Sequence, residues 1–355
     1  MKKKFICLAV IAAMVFAFTA CGNAPAEPAD ESVVEPVETR TVYVTPEWLQ
    51  SALDGNQEGY ENVVVAQVGY EDTSAYDKAH IPGAIYVDSV EVEDAVGDVD
   101  EPYNLLSVET IRKNLMEHGI TADTKVVLYC SDVSEVARQA YGYIVAGVKD
   151  VKIVNGGLTA WKNAGFDTET EANKAEAVTD FGDAEDKTQY WVSMSDAKDK
   201  LANDSNFKLV SIRSEDEWLG KTSGYSYMDK AGEPEGAVWG KGPMNPYDMS
   251  GYQEEAGTED GIILTLDDLT ADGGLWSDVD FTMDNHLSFY CGTGWRACIP
   301  FLICYQAGMD NISVYDGGWY EWMLHDDNPV QVGDPSSEDC QHTTVADLPN
   351  DKAAK

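Results

Sequence analysis

The sequence predicts an α/β protein that contains two tandem copies of one domain, each a parallel sheet flanked by helices. Three observations support this prediction. The chain repeats itself at a spacing of 161 residues, it alternates short apolar runs with helical stretches, and 44% of its 355 residues are hydrophobic. This apolar content is sufficient for about two domains of ordinary size.

The internal repeat is clearest between a cysteine and a tryptophan. It runs from Cys130 to Trp161 in the first copy and from Cys291 to Trp322 in the second, and no gap is needed in between. An Ala-Gly pair and a Gly-Gly pair also coincide within this stretch. A repeat of this kind indicates two copies of one structural unit.

Each copy presents strand and helix candidates in the order expected of a parallel sheet. Apolar runs predict buried strands at residues 63–68, 125–130, 151–154, 208–213, 286–291 and 312–315. Helix-start signals open the copies at residues 44–48 and 192–196, and one helix is predicted between the last two strands of each copy, at residues 137–145 and 297–306. A strand, a helix and a strand in this order favour parallel pairing.

The N-terminus predicts an export signal rather than a membrane span. Three lysines precede an uncharged run that ends in small residues before Cys21. The segment F-T-A-C resembles the lipobox of bacterial lipoproteins, whose cysteine is lipidated; an ordinary cleaved signal is the alternative. We therefore expect a lipoprotein signal peptide at residues 1–20, a lipidated Cys21 with a flexible linker at residues 21–41, and anchoring to the outside of a bacterial membrane.

Composition excludes several classes of partner. The chain has 63 acidic and only 24 basic side chains, which gives a net charge of -39. Such a charge repels phosphate backbones, so we expect no nucleic-acid partner. The seven cysteines form no C-x-x-C pair, and we expect neither a metal nor a cofactor.

The loop C-G-T-G-W-R-A, which begins at Cys291, carries the clearest chemical signal in the chain. It lies between a predicted strand and a predicted helix, and a cysteine above a helix N-terminus is favoured as the thiolate. Glycines let backbone N–H groups turn inward, while the threonine adds a hydroxyl and the arginine a fixed positive charge. A buried structural cysteine is the alternative, but the combination favours an anion cradle. The cradle residues are Gly292, Thr293, Gly294, Trp295, Arg296 and Ala297.

From residue 42 to residue 335 the chain resembles tandem rhodanese-type sulfurtransferases. The motifs that carry the resemblance are H-I-P-G-A at residues 80–84, N-G-G-L-T-A-W at residues 155–161, D-G-G-W-Y-E-W at residues 316–322 and the cysteine loop itself. The resemblance implies that Cys291 accepts a sulfane sulfur as a persulfide and hands it to a nucleophile. It also implies that Arg213, which occupies the place of the family's D-x-R arginine, binds the anionic donor.

The resemblance also divides the chain into domains. It implies a rhodanese-like domain at residues 42–170, a linker at 171–188, a catalytic rhodanese domain at 189–335 and a polar tail at 336–355. The first copy keeps Cys130, but Asp132 and Glu135 stand where the second copy has a threonine and an arginine. Carboxylates beside a thiol disfavour the thiolate and repel anions. We therefore interpret the first domain as non-catalytic.

The function implied is transfer of a sulfane sulfur from thiosulfate, or a related small anion, to a thiophilic acceptor. Lys221 and Lys241 lie in Gly-rich segments and are further candidates for donor binding, together with Arg296. Two alternatives stay open, a 3-mercaptopyruvate sulfurtransferase and a non-enzymatic tethered sulfur carrier or binding lipoprotein. A phosphatase is disfavoured because four residues separate Cys291 from Arg296, one fewer than in the phosphatase relatives of this fold.

Overall fold

The computed structural model describes residues 34–94, 103–243, 249–254 and 261–354. The predicted export signal at residues 1–20, the predicted lipidation site Cys21 and most of the linker lie outside the described residues. They therefore stay predictions. Within the described ranges, no helix is both long enough and apolar enough to span a bilayer.

The first domain contains a five-stranded sheet flanked by helices. Its strands are β1 (Tyr43–Val44), β2 (Val64–Gly69), β3 (Ile85–Asp88), β4 (Lys125–Tyr129) and β5 (Asp150–Val154), and its helices are α1 (Pro46–Leu53), α2 (Ser74–Lys78), α3 (Val108–Glu117), α4 (Val133–Val145) and α5 (Gly157–Asn163). The strands lie in the order β1-β5-β4-β2-β3. Every neighbouring pair is parallel, which confirms the strands predicted for this copy.

The second domain repeats this architecture with four parallel strands. The strands are β6 (Phe207–Ser211), β8 (Val238–Trp239), β9 (His286–Tyr290) and β10 (Ile312–Val314), and the helices are α6 (Met194–Asn203), α7 (Glu215–Trp218), α8 (Leu266–Thr270), α9 (Cys298–Gln306) and α10 (Gly318–Met323). The order in the sheet is β10-β9-β6-β8, and all pairs are parallel. The predicted fold class is thereby confirmed.

A small antiparallel sheet, which the sequence did not predict, completes the second domain. It consists of β7 (Glu233–Pro234), β11 (Pro329–Val332) and β12 (Gln341–Thr344), in the order β12-β11-β7. The predicted polar tail at residues 336–355 thus supplies a strand. Farther along the tail, the carbonyl of Lys352 accepts a hydrogen bond of 2.8 Å from the N–H of Ser223, so the tail packs on the second domain.

Local capping explains where the helices begin. The hydroxyl of Thr45 accepts from the N–H of Trp48 at 3.2 Å, as the helix-start signal predicted. The helix after Cys130 was predicted to begin at residue 137, which is wrong: α4 begins at Val133. The cause is Asp132, whose carboxylate accepts from the N–H groups at the start of α4. The loop between strand and helix is consequently shorter in the first copy than in the second.

The helices that follow the two cysteine loops pack against each other. The rings of Tyr141 in α4 and Phe301 in α9 meet edge to face, with centroids 5.0 Å apart. At the far end of α9, the Oε1 atom of Gln306 accepts from the N–H groups of Val42 and Tyr43, at 3.2 and 3.1 Å. A continuous hydrophobic core runs through both domains. The two copies are therefore joined through the elements that carry their cysteine loops.

Candidate active site

Cys291 is the first residue of the loop that joins β9 to α9. Its strand lies between β10 and β6 and is hydrogen-bonded on both sides. The side chain is buried, with 1% of the residue exposed. Cys291 therefore occupies a fixed position at the carboxyl edge of a parallel sheet, which is where α/β proteins commonly bind their ligands.

The Gly-Gly turn that closes the repeat holds the first two residues of this loop. The N–H of Trp319 donates to the carbonyl of Cys291 at 2.9 Å, and the N–H of Tyr320 donates to the carbonyl of Gly292 at 3.0 Å. Gly318 has a φ of +58°, and a Cβ there would lie 2.6 Å from both carbonyl oxygens. Only glycine fits this close approach, which explains the glycine in the D-G-G-W motif.

The backbone N–H groups of the loop are the next feature of the site. Within the described part of the chain, no backbone N–H of residues 292–297 donates to a protein atom. Gly294 has a φ of +86°, and a Cβ there would lie 2.7 Å from the carbonyl oxygen of Asp316. Consecutive N–H groups in a turn of this kind favour a negative charge. The loop therefore has the donors that the predicted anion cradle requires, and sulfur binding there stays a prediction.

Arg296 lies in a buried ion cluster beside Cys291. Its two Nη atoms donate to the two carboxylate oxygens of Glu217, each at 3.1 Å. Nη2 also donates to the hydroxyl of Tyr225, at 3.1 Å. The Nε atom is buried and has no hydrogen-bond partner in the described part of the chain. Arg296 is thus held by a carboxylate, while its Nε–H has no protein acceptor among the described residues.

Arg213 belongs to the same cluster. Its Nε donates to Glu217 at 3.3 Å, its Nη1 to Glu233 at 2.7 Å and its Nη2 to the carbonyl of Ser223 at 3.0 Å. The side chain has no exposed surface. These contacts favour a role for Arg213 in orienting Glu217, and hence Arg296. Direct contact of Arg213 with a donor stays a prediction from the family resemblance.

The two carboxylates of the cluster have opposite pKa shifts. Burial alone would raise the pKa of Glu217, but the positive charges of Arg296 and Arg213 outweigh it and hold this pKa at about 2. Burial raises the pKa of Glu233 to about 7, against the attraction of Arg213. Near neutral pH the two guanidinium groups therefore face the ionised carboxylate of Glu217 and the partly protonated carboxyl group of Glu233. The cluster carries excess positive charge below about pH 7.

The two candidate lysines lie in different surroundings. Lys221 is exposed, and its ammonium group forms an ion pair of 2.7 Å with Asp216. Lys241 lines a surface recess together with Trp218 and Trp239, and its backbone has a φ of +55°. A non-glycine residue in this conformation is uncommon. Donor binding by either lysine stays a prediction.

The corresponding cysteine of the first domain has the opposite environment. The thiol of Cys130 donates to Glu135 at 3.2 Å, and Glu135 also accepts from the hydroxyl of Ser89 at 3.0 Å. Burial, followed by the negative charge of Glu135, raises the pKa of the Cys130 thiol well above its ordinary value. A neutral thiol is a poor nucleophile. These contacts favour the interpretation of the first domain as non-catalytic.

Several residues of the site were not predicted from the sequence. Glu217 could have been found, because it follows Arg213 by one helical turn and completes a capping box with Ser214. Tyr225 and Glu93, which contact the loop residues Arg296 and Trp295, lie far from the loop in sequence. No local sequence pattern predicts such long-range pairs.

Comparisons with known proteins show the family of this chain. The rhodanese-like domain family matches the chain twice, over residues 45–164 and 193–325. Thiosulfate sulfurtransferase YnjE of Escherichia coli K12 is 38% identical over 297 residues, which cover 82% of this chain and 65% of YnjE. This chain therefore spans about two thirds of the length of YnjE.

Solved structures show the same relationship. The crystal structure of YnjE superimposes with a TM-score of 0.74 at 37% identity and covers 83% of this chain and 68% of that one. The anaerobic ergothioneine biosynthesis enzyme of Chlorobium limicola, solved with its natural substrate trimethyl histidine, has a TM-score of 0.74 at 30% identity and covers 83% and 71%. The chain therefore belongs to the rhodanese family, with two rhodanese-like domains in tandem.

Proposed function

We propose that this protein transfers a sulfane sulfur from thiosulfate, or a related small anion, to a thiophilic acceptor through a persulfide on Cys291. One observation carries the proposal. Cys291 begins a loop whose N–H groups, together with the Nε atom of Arg296, lack protein acceptors in the described chain. These donors can stabilise negative charge on the sulfur or on the donor anion.

The reaction has two displacement steps. The thiolate of Cys291 attacks the outer sulfur of thiosulfate, the sulfur–sulfur bond of the donor breaks, and sulfite leaves with the bonding electrons. A nucleophilic acceptor then attacks the outer sulfur of the persulfide, and the thiolate of Cys291 is the leaving group. The role of Arg296 and the loop N–H groups is to offset the negative charge that develops in both steps.

Steady-state kinetics test this function. With thiosulfate as donor and cyanide as a model acceptor, we expect sulfite and thiocyanate in equal amounts and the parallel double-reciprocal plots of a covalent intermediate. A parallel assay with 3-mercaptopyruvate decides between the two donor classes. Absence of turnover with either donor would leave the non-enzymatic carrier as the better account.

We expect the KM for thiosulfate to depend on the protonation of Glu233. As Glu233 ionises above about pH 7, the cluster loses its excess positive charge and attracts the anionic donor less. The wild-type KM should therefore rise by about fivefold, the factor for roughly 1 kcal/mol of attraction. Glu233→Gln removes this titration, so the KM of the variant should stay level. Kinetics of both proteins between about pH 6 and pH 8.5 make the comparison, and a level wild-type KM would contradict this role of Glu233.

We also propose that the protein is anchored to the outside of a bacterial membrane by a lipid on Cys21. The proposal is supported by the lysine-rich start, the F-T-A-C segment and the Pro/Glu/Ala-rich linker. We expect the wild-type chain, expressed in a bacterium, to incorporate labelled palmitate and to sediment with membranes. Cys21→Ser should do neither. A Cys21→Ser protein that still incorporates the label would contradict the proposal.

A further inference from the structure

We propose that the first domain holds the catalytic loop in position through Glu93, a positioning residue that acts on the chemistry at Cys291 by way of Trp295. The inference rests on the proposed function, because it concerns the same site. On this inference the first domain, which we interpret as non-catalytic, helps to position the loop that begins at Cys291. Three contacts between the domains, and one within the first domain, carry it.

The first contact joins Glu93 to the loop itself. Glu93 lies just beyond the short 3-10 helix Ser89–Glu91 of the first domain and is 1% exposed. The indole Nε1 of Trp295 lies 2.8 Å from each of its two carboxylate oxygens. Trp295 stands between Gly294 and Arg296 in the loop. Its side chain is thus held by an acceptor from the other domain.

The second contact orients the Glu93 carboxylate. Arg138 of α4 has no exposed surface, and its Nε donates to Glu93 at 2.9 Å. Its Nη2 donates to the carbonyl of Tyr103 at 2.9 Å. Two hydrogen bonds fix the guanidinium of Arg138. The Glu93 carboxylate that it binds therefore has little freedom to shift if the indole of Trp295 moves. Charge-assisted hydrogen bonds of this kind are among the stronger ones.

The third contact links this pair to the closing turn of the second domain. Asp316, which precedes the Gly-Gly turn, lies 3.5 Å from Nη2 of Arg138. It accepts from the backbone N–H of Leu105 and from the indole of Trp191, both at 2.7 Å. The Gly-Gly turn in turn holds the carbonyls of Cys291 and Gly292. The start of the loop, through the Gly-Gly turn, and Trp295, through Glu93, are therefore both connected to the first domain.

The fourth contact is steric. A Cβ on Gly294 would lie 2.7 Å from the carbonyl oxygen of Asp316 and 3.1 Å from Nη1 of Arg138. The middle of the loop therefore lies directly against Arg138. Loss of the Glu93 acceptor would let Trp295 move, and its neighbours carry the N–H groups and the guanidinium that serve the sulfur. A misplacement of about 1 Å in a catalytic group can cost about a hundredfold in rate.

A purely structural role for this cluster makes a different prediction. A buried ion cluster with only a structural role would affect the melting temperature and leave the kinetics of the folded protein unchanged. A positioning role changes the turnover of molecules that are fully folded. The two roles can therefore be separated by kinetics at a temperature well below the melting transition.

The experiment compares Glu93→Gln, Trp295→Phe and the double variant with the wild-type chain. Trp295→Phe keeps an aromatic ring and leaves the Glu93–Arg138 pair intact, so it isolates the N–H donor. Glu91→Gln is the matched control, since Glu91 lies two residues away and its carboxylate pairs with His118 at 2.7 Å. The readouts are the rate of persulfide formation at saturating thiosulfate, the KM and the alkylation rate of Cys291 by iodoacetamide.

We expect each single variant to lower the saturated rate by roughly tenfold to a hundredfold, with a smaller change in KM. The double variant should be no slower than the worse single variant, because both remove one interaction. The Glu91→Gln control should match the wild type. Wild-type rates in Glu93→Gln and Trp295→Phe, or multiplying losses in the double variant, would overturn the inference. A wild-type chain that forms no persulfide would instead overturn the proposed function.

Discussion

Cys291→Ser is expected to reduce sulfur transfer to the background rate, while Cys130→Ser keeps most of the wild-type rate. Cys291 begins a loop whose N–H groups have no protein acceptor among the described residues, and the guanidinium of Arg296 interacts with it electrostatically. The thiol of Cys130 instead donates a hydrogen bond to Glu135, and Cys130 lies in a loop shortened by the early start of α4. A neutral, buried thiol facing a carboxylate is a poor nucleophile for an anionic donor.

Turnover of thiosulfate by the two serine variants and the wild-type chain measures this difference. Thermal melts of all three proteins serve as the control for folding. Comparable losses of activity in both variants would show that the first domain takes part in the covalent chemistry. The assignment of the covalent chemistry to the second domain alone would then be wrong.

Glu217→Gln is expected to lower the free energy of unfolding by about 3 to 5 kcal/mol, the usual cost of removing one partner from a buried ion pair. Glu217 is fully buried and forms ion pairs with both Arg296 and Arg213. Gln at this position keeps the shape and removes the charge, so two guanidinium groups stay buried with one carboxylate, Glu233. The loss should also displace Arg296 and slow sulfur transfer.

Denaturant titration of Glu217→Gln at neutral pH gives the measurement. Glu215→Gln is the matched control, because Glu215 lies on the same short helix and is exposed. The control should change the free energy of unfolding by at most about 0.5 kcal/mol. A Glu217→Gln variant within about 1 kcal/mol of the wild type would show that the arginine cluster does not depend on this carboxylate.

The residue five positions after each cysteine carries an opposite charge in the two domains. Five residues after the cysteine, the first domain has Glu135, which accepts from the thiol, and the second has Arg296, which is a donor. The strand before the cysteine and the helix after it are common to both copies. The charge of this side chain is therefore one clear difference between the surroundings of the two cysteines, and for Cys130 it adds to the effect of burial.

The fold was predictable because its signals are local and occur twice. Buried parallel strands form continuous apolar runs, and Thr45 and Ser193 cap helices within three residues of themselves. The antiparallel sheet was missed because its strands are short, and two of them contain proline. The start of α4 differs from the prediction because Asp132 acts as its N-cap, in addition to placing a charge near Cys130.

The site was predictable only in part, because only some of its contacts are between residues close in sequence. The loop motif places Cys291, Gly294 and Arg296 within one short segment, so their proximity follows from sequence. The partners that give them their electrostatic environment come from other elements. Glu93 reaches Trp295 across 202 residues of chain. Such a contact depends on how the two domains pack, which no local pattern encodes.

Mass spectrometry of the purified protein after incubation with thiosulfate tests the central claim most directly. A persulfide adds the mass of one sulfur atom, about 32 Da, to the peptide that carries it. We expect this gain on the peptide that contains Cys291, its absence on the peptide that contains Cys130, and its removal by a thiophilic acceptor. The same gain on the Cys130 peptide, or no gain on the Cys291 peptide, would contradict the account.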